Sequence, residues 1–192
     1  HLRPSGKIER VRPSIAFYYA EKPPTRFPLV IGLRSAFLDI PVGEANYSFE
    51  KHFALPVDVD VLGVLPHAHY IGKELQGFAE LPDGTRKWLI HIADWDFNWQ
   101  DDYEYRQPVF LPRGSTLVMR YTYDNSADNP RNPSQPPTRV TWGEESTDEM
   151  GSMTLQVVAA DPRELPLLQR AYAGHLVESV ADAGRGRRER RR

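Results

Sequence analysis

An all-β fold, an antiparallel sandwich or barrel of about eight strands, is the class this 192-residue sequence predicts, on three observations. Short runs rich in Val, Thr, Tyr and Phe alternate apolar and polar residues, the period of a strand with one buried face. Turn signals built on Pro and Gly, of which there are 17 and 13, separate these runs at regular intervals. Helical periodicity is persuasive in one place only, near the end of the chain. With 40% hydrophobic and 26% charged residues the sequence can fill a core.

The elements follow in order. Residues 1–14 carry turn residues and little periodicity, and read as a linker. Ile15 to Ala20 is a short apolar run, expected as a strand and stopped by Pro23-Pro24. Asn46 to His52 alternates, with Tyr47, Phe49 and Lys51 on one face. In Val57 to His69, Val57, Val59 and Val61 oppose Asp58, Asp60 and Leu62. Glu74 to Leu81 and Thr85 to Ile92 flank Pro82-Asp83-Gly84, a hairpin signal. Tyr103 to Leu111 and Ser115 to Tyr123 flank Pro112-Arg113-Gly114, which predicts a second hairpin. Asn125 to Pro137 is a long loop of the kind that is often functional or mobile. Val140 to Trp142 and Met150 to Ala159 supply two more strands. Asp161-Pro162 then opens a helix, with Leu165, Leu168, Tyr172, Leu176 and Val180 near helical spacing. The sandwich is thus expected within 15–160, a peripheral helix over 161–183, and a disordered Arg-rich tail over 184–192.

Charge and composition narrow the function. Gly184 to Arg192 carries six Arg and one Glu, or +5, against −2 for the whole chain; the remainder is −7. An acidic body argues against nucleic acid as a partner. There is no Cys, so thiol nucleophiles, disulfides and thiolate metal sites are excluded. No apolar run approaches the roughly 18 residues of a membrane span. The chain begins at His1 and shows no signal peptide, so it is expected to be an excerpt of a longer one. Neither a glycine-rich phosphate loop nor a Gly-x-Ser-x-Gly elbow is present.

The strongest chemical signal is Leu65-Pro66-His67-Ala68-His69-Tyr70-Ile71-Gly72. At the end of a strand His67 and His69 point to the same face, where two neutral imidazoles can share one metal. A His-x-His pair alone reads first as two histidines on a polar strand face, because the pattern is short; the flanking Pro66 and Gly72 make it more specific only through a family resemblance. Met150, which closes Thr147-Asp148-Glu149-Met150, alone reads as core filler. With two imidazoles its thioether makes a soft set that favours copper, Cu(I) above all, over zinc. A structural zinc site would want four strong ligands.

His67-Ala68-His69 with Gly72, then Trp95-Asp96-Phe97-Asn98-Trp99-Gln100, Tyr121-Thr122-Tyr123-Asp124-Asn125 and Thr147-Asp148-Glu149-Met150 occur in that order. Together they resemble the C-terminal domain of the copper type II, ascorbate-dependent monooxygenases, the family of peptidylglycine hydroxylating monooxygenase and dopamine beta-hydroxylase with bacterial relatives. The resemblance spans roughly Ile15 to Ala160. It implies a jelly-roll sandwich whose His67, His69 and Met150 match the three ligands of the copper beside the substrate. A second, electron-delivering copper would sit in an upstream domain, and His1 matches a ligand of that copper orphaned from its partners. The implied activity is hydroxylation of a C–H bond of a small molecule with O2 and an external one-electron reductant. An extracytoplasmic location, and inactivity of this fragment alone, are further expectations. The rival expectation is a non-catalytic β-sandwich that binds copper or a partner.

The sequence also departs from the family. Leu65 stands where the peptide-amidating branch has an Arg, Ser152 and Thr154 where it has Asn and Tyr, and Gly151 where animal members have Cys. Amidation of peptides is therefore not expected. His52, His91 and His175 match no ligand position and read as structural or exposed. Asp148 and Glu149 read as supporting or turn residues rather than acid–base catalysts.

Overall fold

Period-two patterning resolves into a two-sheet sandwich in the computed structural model, which describes residues 5–35 and 37–189. Its elements are β1 (Leu29–Arg34), β2 (Asp39–Ile40), β3 (Tyr47–Ala54), β4 (Val59–Ala68), β5 (Gly72–Glu80), β6 (Arg86–Ile92), β7 (Tyr103–Leu111), β8 (Thr116–Tyr123), β9 (Val140–Thr141), β10 (Gly151–Ala159), a 3-10 turn (Pro162–Glu164) and α1 (Leu165–Glu189). One sheet runs β1-β10-β4-β7 and the other β3-β8-β5-β6, with β2 and β9 pairing apart. All neighbours in the two sheets are antiparallel. Counting the eight sandwich strands alone, one sheet takes the first, eighth, third and sixth, the other the second, seventh, fourth and fifth. That alternation is a jelly roll.

Inward positions make the core. Ile31 and Leu33 of β1, Val59 and Val61 of β4 and Leu155 and Val157 of β10 meet Leu75, Leu117, Met119, Tyr121 and Tyr123 of the opposite sheet, all fully buried. Each buried aliphatic side chain contributes about 1.5–3 kcal/mol, which is what drives two half-polar sheets together.

Three expectations need correction. Ile15 to Ala20 is not a strand: 5–28 forms no ladder, and Phe17, Tyr18 and Tyr19 are exposed. A strand requires a neighbour for its backbone N–H and C=O groups, and this segment has none; at the edge strand β1 the Gly32 backbone is bonded to α1 instead. The Tyr172 hydroxyl of α1 accepts from the Gly32 N–H at 2.7 Å and donates to its carbonyl at 3.3 Å. The sandwich accordingly starts at Leu29, in a strand whose short LVIGLR run shows no alternation.

The second correction concerns Pro112-Arg113-Gly114. Pro82-Asp83-Gly84 does join a hairpin, β5–β6, with Gly84 at φ 82°. The similar turn at Gly114, φ 84°, instead carries the chain from one sheet to the other, because β7 pairs with β4 while β8 pairs with β3 and β5. Leu55, just beyond β3, decides this: its carbonyl accepts from the Gly114 N–H at 2.9 Å and its N–H donates to Ser115 at 2.8 Å.

Third, α1 continues to Glu189, past the expected end at 183 and into the segment expected to be disordered. Straight-chain Arg is a good helix former and outweighs the two glycines there. The start is as expected, with the Asp161 carboxylate accepting from the Arg163 N–H. No helix among the described residues is long and apolar enough to cross a membrane.

Candidate metal centre

Where β4 leaves one sheet and β5 enters the other, the chain turns through His69 and Tyr70. His67 lies in the last turn of the β4 ladder and His69 just past it. Their ring centroids are 5.1 Å apart at 83°. A ring whose nitrogen lies about 2.0–2.1 Å from a metal has its centroid about 3.2 Å from that ion. Two rings on one ion therefore have centroids no more than about 6.4 Å apart, and this pair meets the condition.

Both imidazoles are held by Nδ1. That of His67 donates to Gln100 Oε1 at 2.5 Å, and that of His69 to the Asp148 carbonyl at 3.1 Å. A carbonyl oxygen can only accept, so each ring carries a proton on Nδ1, which in a neutral ring leaves the lone pair on Nε2. Metal-ligating histidines are held this way, by an outer acceptor that sets tautomer and orientation. His69 is 1% exposed, and burial, reinforced by the charge His67 would carry, lowers its pKa against the opposing pull of the Asp148 carbonyl. A neutral ring is the form a metal requires.

The third predicted ligand arrives from the far end of the sequence. Antiparallel pairing sets Gly151 against Ala68 and Ser152 against His67. The ladder ends at Gly151 and Ala68; Met150 and His69 are the residues immediately beyond that last pair, one on each segment. Met150 is half-buried, and its carbonyl accepts from the Tyr123 hydroxyl at 2.8 Å. Glycine at 151 is explained by the same packing. A Cβ there would lie 2.5 Å from Tyr123 Oη and 2.6 Å from Phe49 Cζ.

Glu149 lies beneath the site, fully buried. Its Oε1 accepts from the His69 and Met150 N–H groups and its Oε2 from that of Ile71. Burial raises its pKa to about 8 even though these three donors favour the charged form.

Residues 95–100 wrap the pair. Trp95, 1% exposed, donates from Nε1 to the His69 carbonyl at 3.0 Å. Gly72 makes room for it, since a Cβ there would lie 2.6 Å from Trp95 Cδ1. Phe97 packs on His69 at 5.7 Å and on Tyr70 at 4.3 Å between centroids. Gln100 is fixed in turn by donating to the Phe97 carbonyl at 2.9 Å. The long loop after β8 is ordered by amide bonds. Buried Asn125 donates to the Pro41 and Thr138 carbonyls and accepts from Asn132. Its Arg131 pairs with Asp94 and reaches the Trp95 carbonyl, so the loop braces the 95–100 segment.

The other predictions sort plainly. His52 and His91 pair with Glu50 and Glu74, and His175 packs on Phe53 and Tyr172. His1 lies outside the described residues. Among the described residues no group of three or more His, Cys, Asp and Glu that could hold a metal converges. The role of Gln100 was not read from the sequence, although it closes the aromatic segment singled out there.

No family model matches the chain, and no curated protein does. It is similar to the structure of infectious bursal disease virus Gx strain, with TM-score 0.35 and 9% identity over 70% of this chain and 32% of that one. The structure of the Gt strain gives 0.32 and 11% over 72% and 35%. The crystal structure of the virus VP2 subviral particle gives 0.32 and 13% over 70% and 34%. The chain spans about a third of the length of these chains.

Proposed function

We propose that this chain is the substrate-side copper domain of a two-copper monooxygenase that hydroxylates a C–H bond with O2 and an external one-electron reductant. The observation that carries the reading is the pair of adjacent imidazoles with both Nδ1 positions committed to neutral oxygens. His67, His69 and Met150 would hold the metal, a borderline-and-soft set suited to Cu(I). Bound copper would supply the one-electron and oxygen chemistry that no side chain can.

The remaining work falls to the chain's own groups. Gln100 and the Asp148 carbonyl keep the proton on Nδ1 of each ring. Phe97 and Tyr70 make an apolar wall beside His69 and limit access of water to it. Leu65 lies across from Thr154 and Ser152 across from His67 on the same outer face, and Leu65 brings no charge of its own to it. Peptides ending in glycine are therefore not the expected substrates. Because hydroxylation needs two electrons, the domain depends on an upstream copper domain of the parent chain, in an extracytoplasmic setting. Alone it binds copper without coupled turnover.

Metal analysis with X-ray absorption tests the reading. One copper per chain is expected, with two nitrogen ligands and one sulfur when reduced, and Met150→Ile should delete the sulfur. An unchanged Cu(I) spectrum in Met150→Ile removes the ligand assignment. Copper bound as described, but no product after the upstream domain is restored, would instead establish a copper-binding module.

A further inference from the structure

The β4–β10 ladder ends at the Gly151–Ala68 pair. Beyond it the two chains that carry His69 and Met150 have no further strand pairing to hold them at a set separation. Strand ends fray, and a soft ligand placed there would wander. What lies in that gap is the side-chain carboxyl group of Glu149, 0% exposed.

Its bonds follow a pattern. Oε1 accepts from the N–H of His69 on one chain and from the N–H of Met150, at 2.8 Å, on the other. Oε2 accepts from the Ile71 N–H at 3.3 Å, past the turn. The side chain thus takes the place of the missing ladder rungs with three N–H groups, two of which belong to the candidate ligands themselves. The Glu149 backbone is fixed independently. Its N–H donates to the Thr141 carbonyl at 3.1 Å, and its carbonyl accepts from the Gly143 N–H at 3.3 Å. The clamp therefore does not drift with the segments it joins. Burying a carboxylate is costly unless it is well hydrogen-bonded, and a turn of this kind can be closed by an uncharged residue.

We infer that Glu149 is a positioning residue that sets the Met150 segment against the His69 segment, so that thioether and imidazoles meet one ion. This rests on the copper reading above. Metal sites lose affinity when ligands are misplaced by fractions of an ångström, and partners that orient ligands are worth about 10- to 100-fold in affinity.

Glu149→Gln is the informative variant. The amide has the same shape and keeps one oxygen for His69 and Met150, but it turns an NH2 against the Ile71 N–H. The experiment compares the unaltered chain, Glu149→Gln and the distant control Glu74→Gln. Each is checked for folding by circular dichroism, titrated with Cu(I) against a competing chelator, and examined by X-ray absorption. The expected result is a folded Glu149→Gln that keeps its imidazole scatterers, weakens or disorders its sulfur scatterer, and loses about 10- to 100-fold in Cu(I) affinity. Cu(II) affinity should fall less, and the control should match the unaltered chain.

A folded Glu149→Gln with the unaltered sulfur signal and affinity overturns the inference while leaving the copper reading intact. An unaltered chain that shows no sulfur ligand removes the copper reading, and the inference with it. Should Glu149→Gln fail to fold, amide hydrogen exchange on the unaltered chain decides. Strong protection at His69, Ile71 and Met150 is expected, and rapid exchange at these three positions overturns the clamp.

Discussion

The outer faces of the two sheets both carry histidines, and they treat them in opposite ways. On the β3-β8-β5-β6 face a row runs Glu50, Arg120, Gln76, His91 from strand to strand. Glu50 takes both Arg120 and His52, and Glu74 takes His91 through Nε2 at 2.7 Å. Each imidazole there meets a carboxylate with its Nε2. On the β1-β10-β4-β7 face His67 and His69 are fixed through Nδ1 by uncharged oxygens. Burial disfavours a proton on His69. The difference teaches that which ring nitrogen is anchored, and by what, tells the two histidine sets apart: one is held through Nε2 by carboxylates, the other through Nδ1 by uncharged oxygens.

Substitutions at the two histidine sets should break this symmetry most visibly. His67→Ala or His69→Ala should lower copper affinity by more than about 100-fold, exceeding the loss of an orienting partner. His91→Ala should leave stoichiometry and affinity unchanged. Competitive titration measures both, and equal losses at the two faces would refute the contrast.

The anchoring oxygen comes next. Gln100→Leu preserves bulk but removes the acceptor from His67 Nδ1, and should lower copper affinity about 10- to 100-fold. Thermal melting of the metal-free chain should shift little, since Gln100 is only half-buried.

Gly151→Ala probes the packing under the site. The added methyl would strike Tyr123 and Phe49, both packed against the core. A loss of about 1–3 kcal/mol in urea unfolding is expected, with a displaced sulfur ligand as the spectroscopic sign.

The smallest effect belongs to the paired face. The hydrogen bond from His91, then that from Gln76, lowers the Glu74 pKa below its ordinary 4.5. The folded value lies under the unfolded one, so the pair's contribution is complete above about pH 4.5. It fades as the pH falls through the folded value. Glu74→Gln should therefore cost less than about 1 kcal/mol near neutral pH, and the difference from the unaltered chain should vanish in acid. A difference that grows in acid would reverse the assignment.

Much of this was legible in the residues themselves. Alternation is a local property, and the strands at Tyr47, Val59, Gly72, Arg86, Tyr103, Thr116 and Gly151 lie where it placed them, within two or three positions. The all-β class, the Asp161 cap and the placing of His67 and His69 at the end of one strand follow from the same short-range rules. Other features depended on partners that no local pattern names. Ile15 to Ala20 has the composition of a strand but pairs with no neighbour, and at the edge strand β1 the Gly32 backbone is bonded by Tyr172 from 140 positions away. Two Pro-x-Gly turns look alike in sequence, yet one closes a hairpin and the other crosses between sheets, since turn chemistry fixes a reversal and not the sheet that receives the next strand. The centre itself divides the same way. Residue types and the two-residue spacing of its histidines are written in the chain. The Gln100 oxygen, the Asp148 carbonyl and the Glu149 clamp reach His67 and His69 from 33, 79 and 80 positions away, and only the crossing of β4 past β10 at a sandwich corner brings them there.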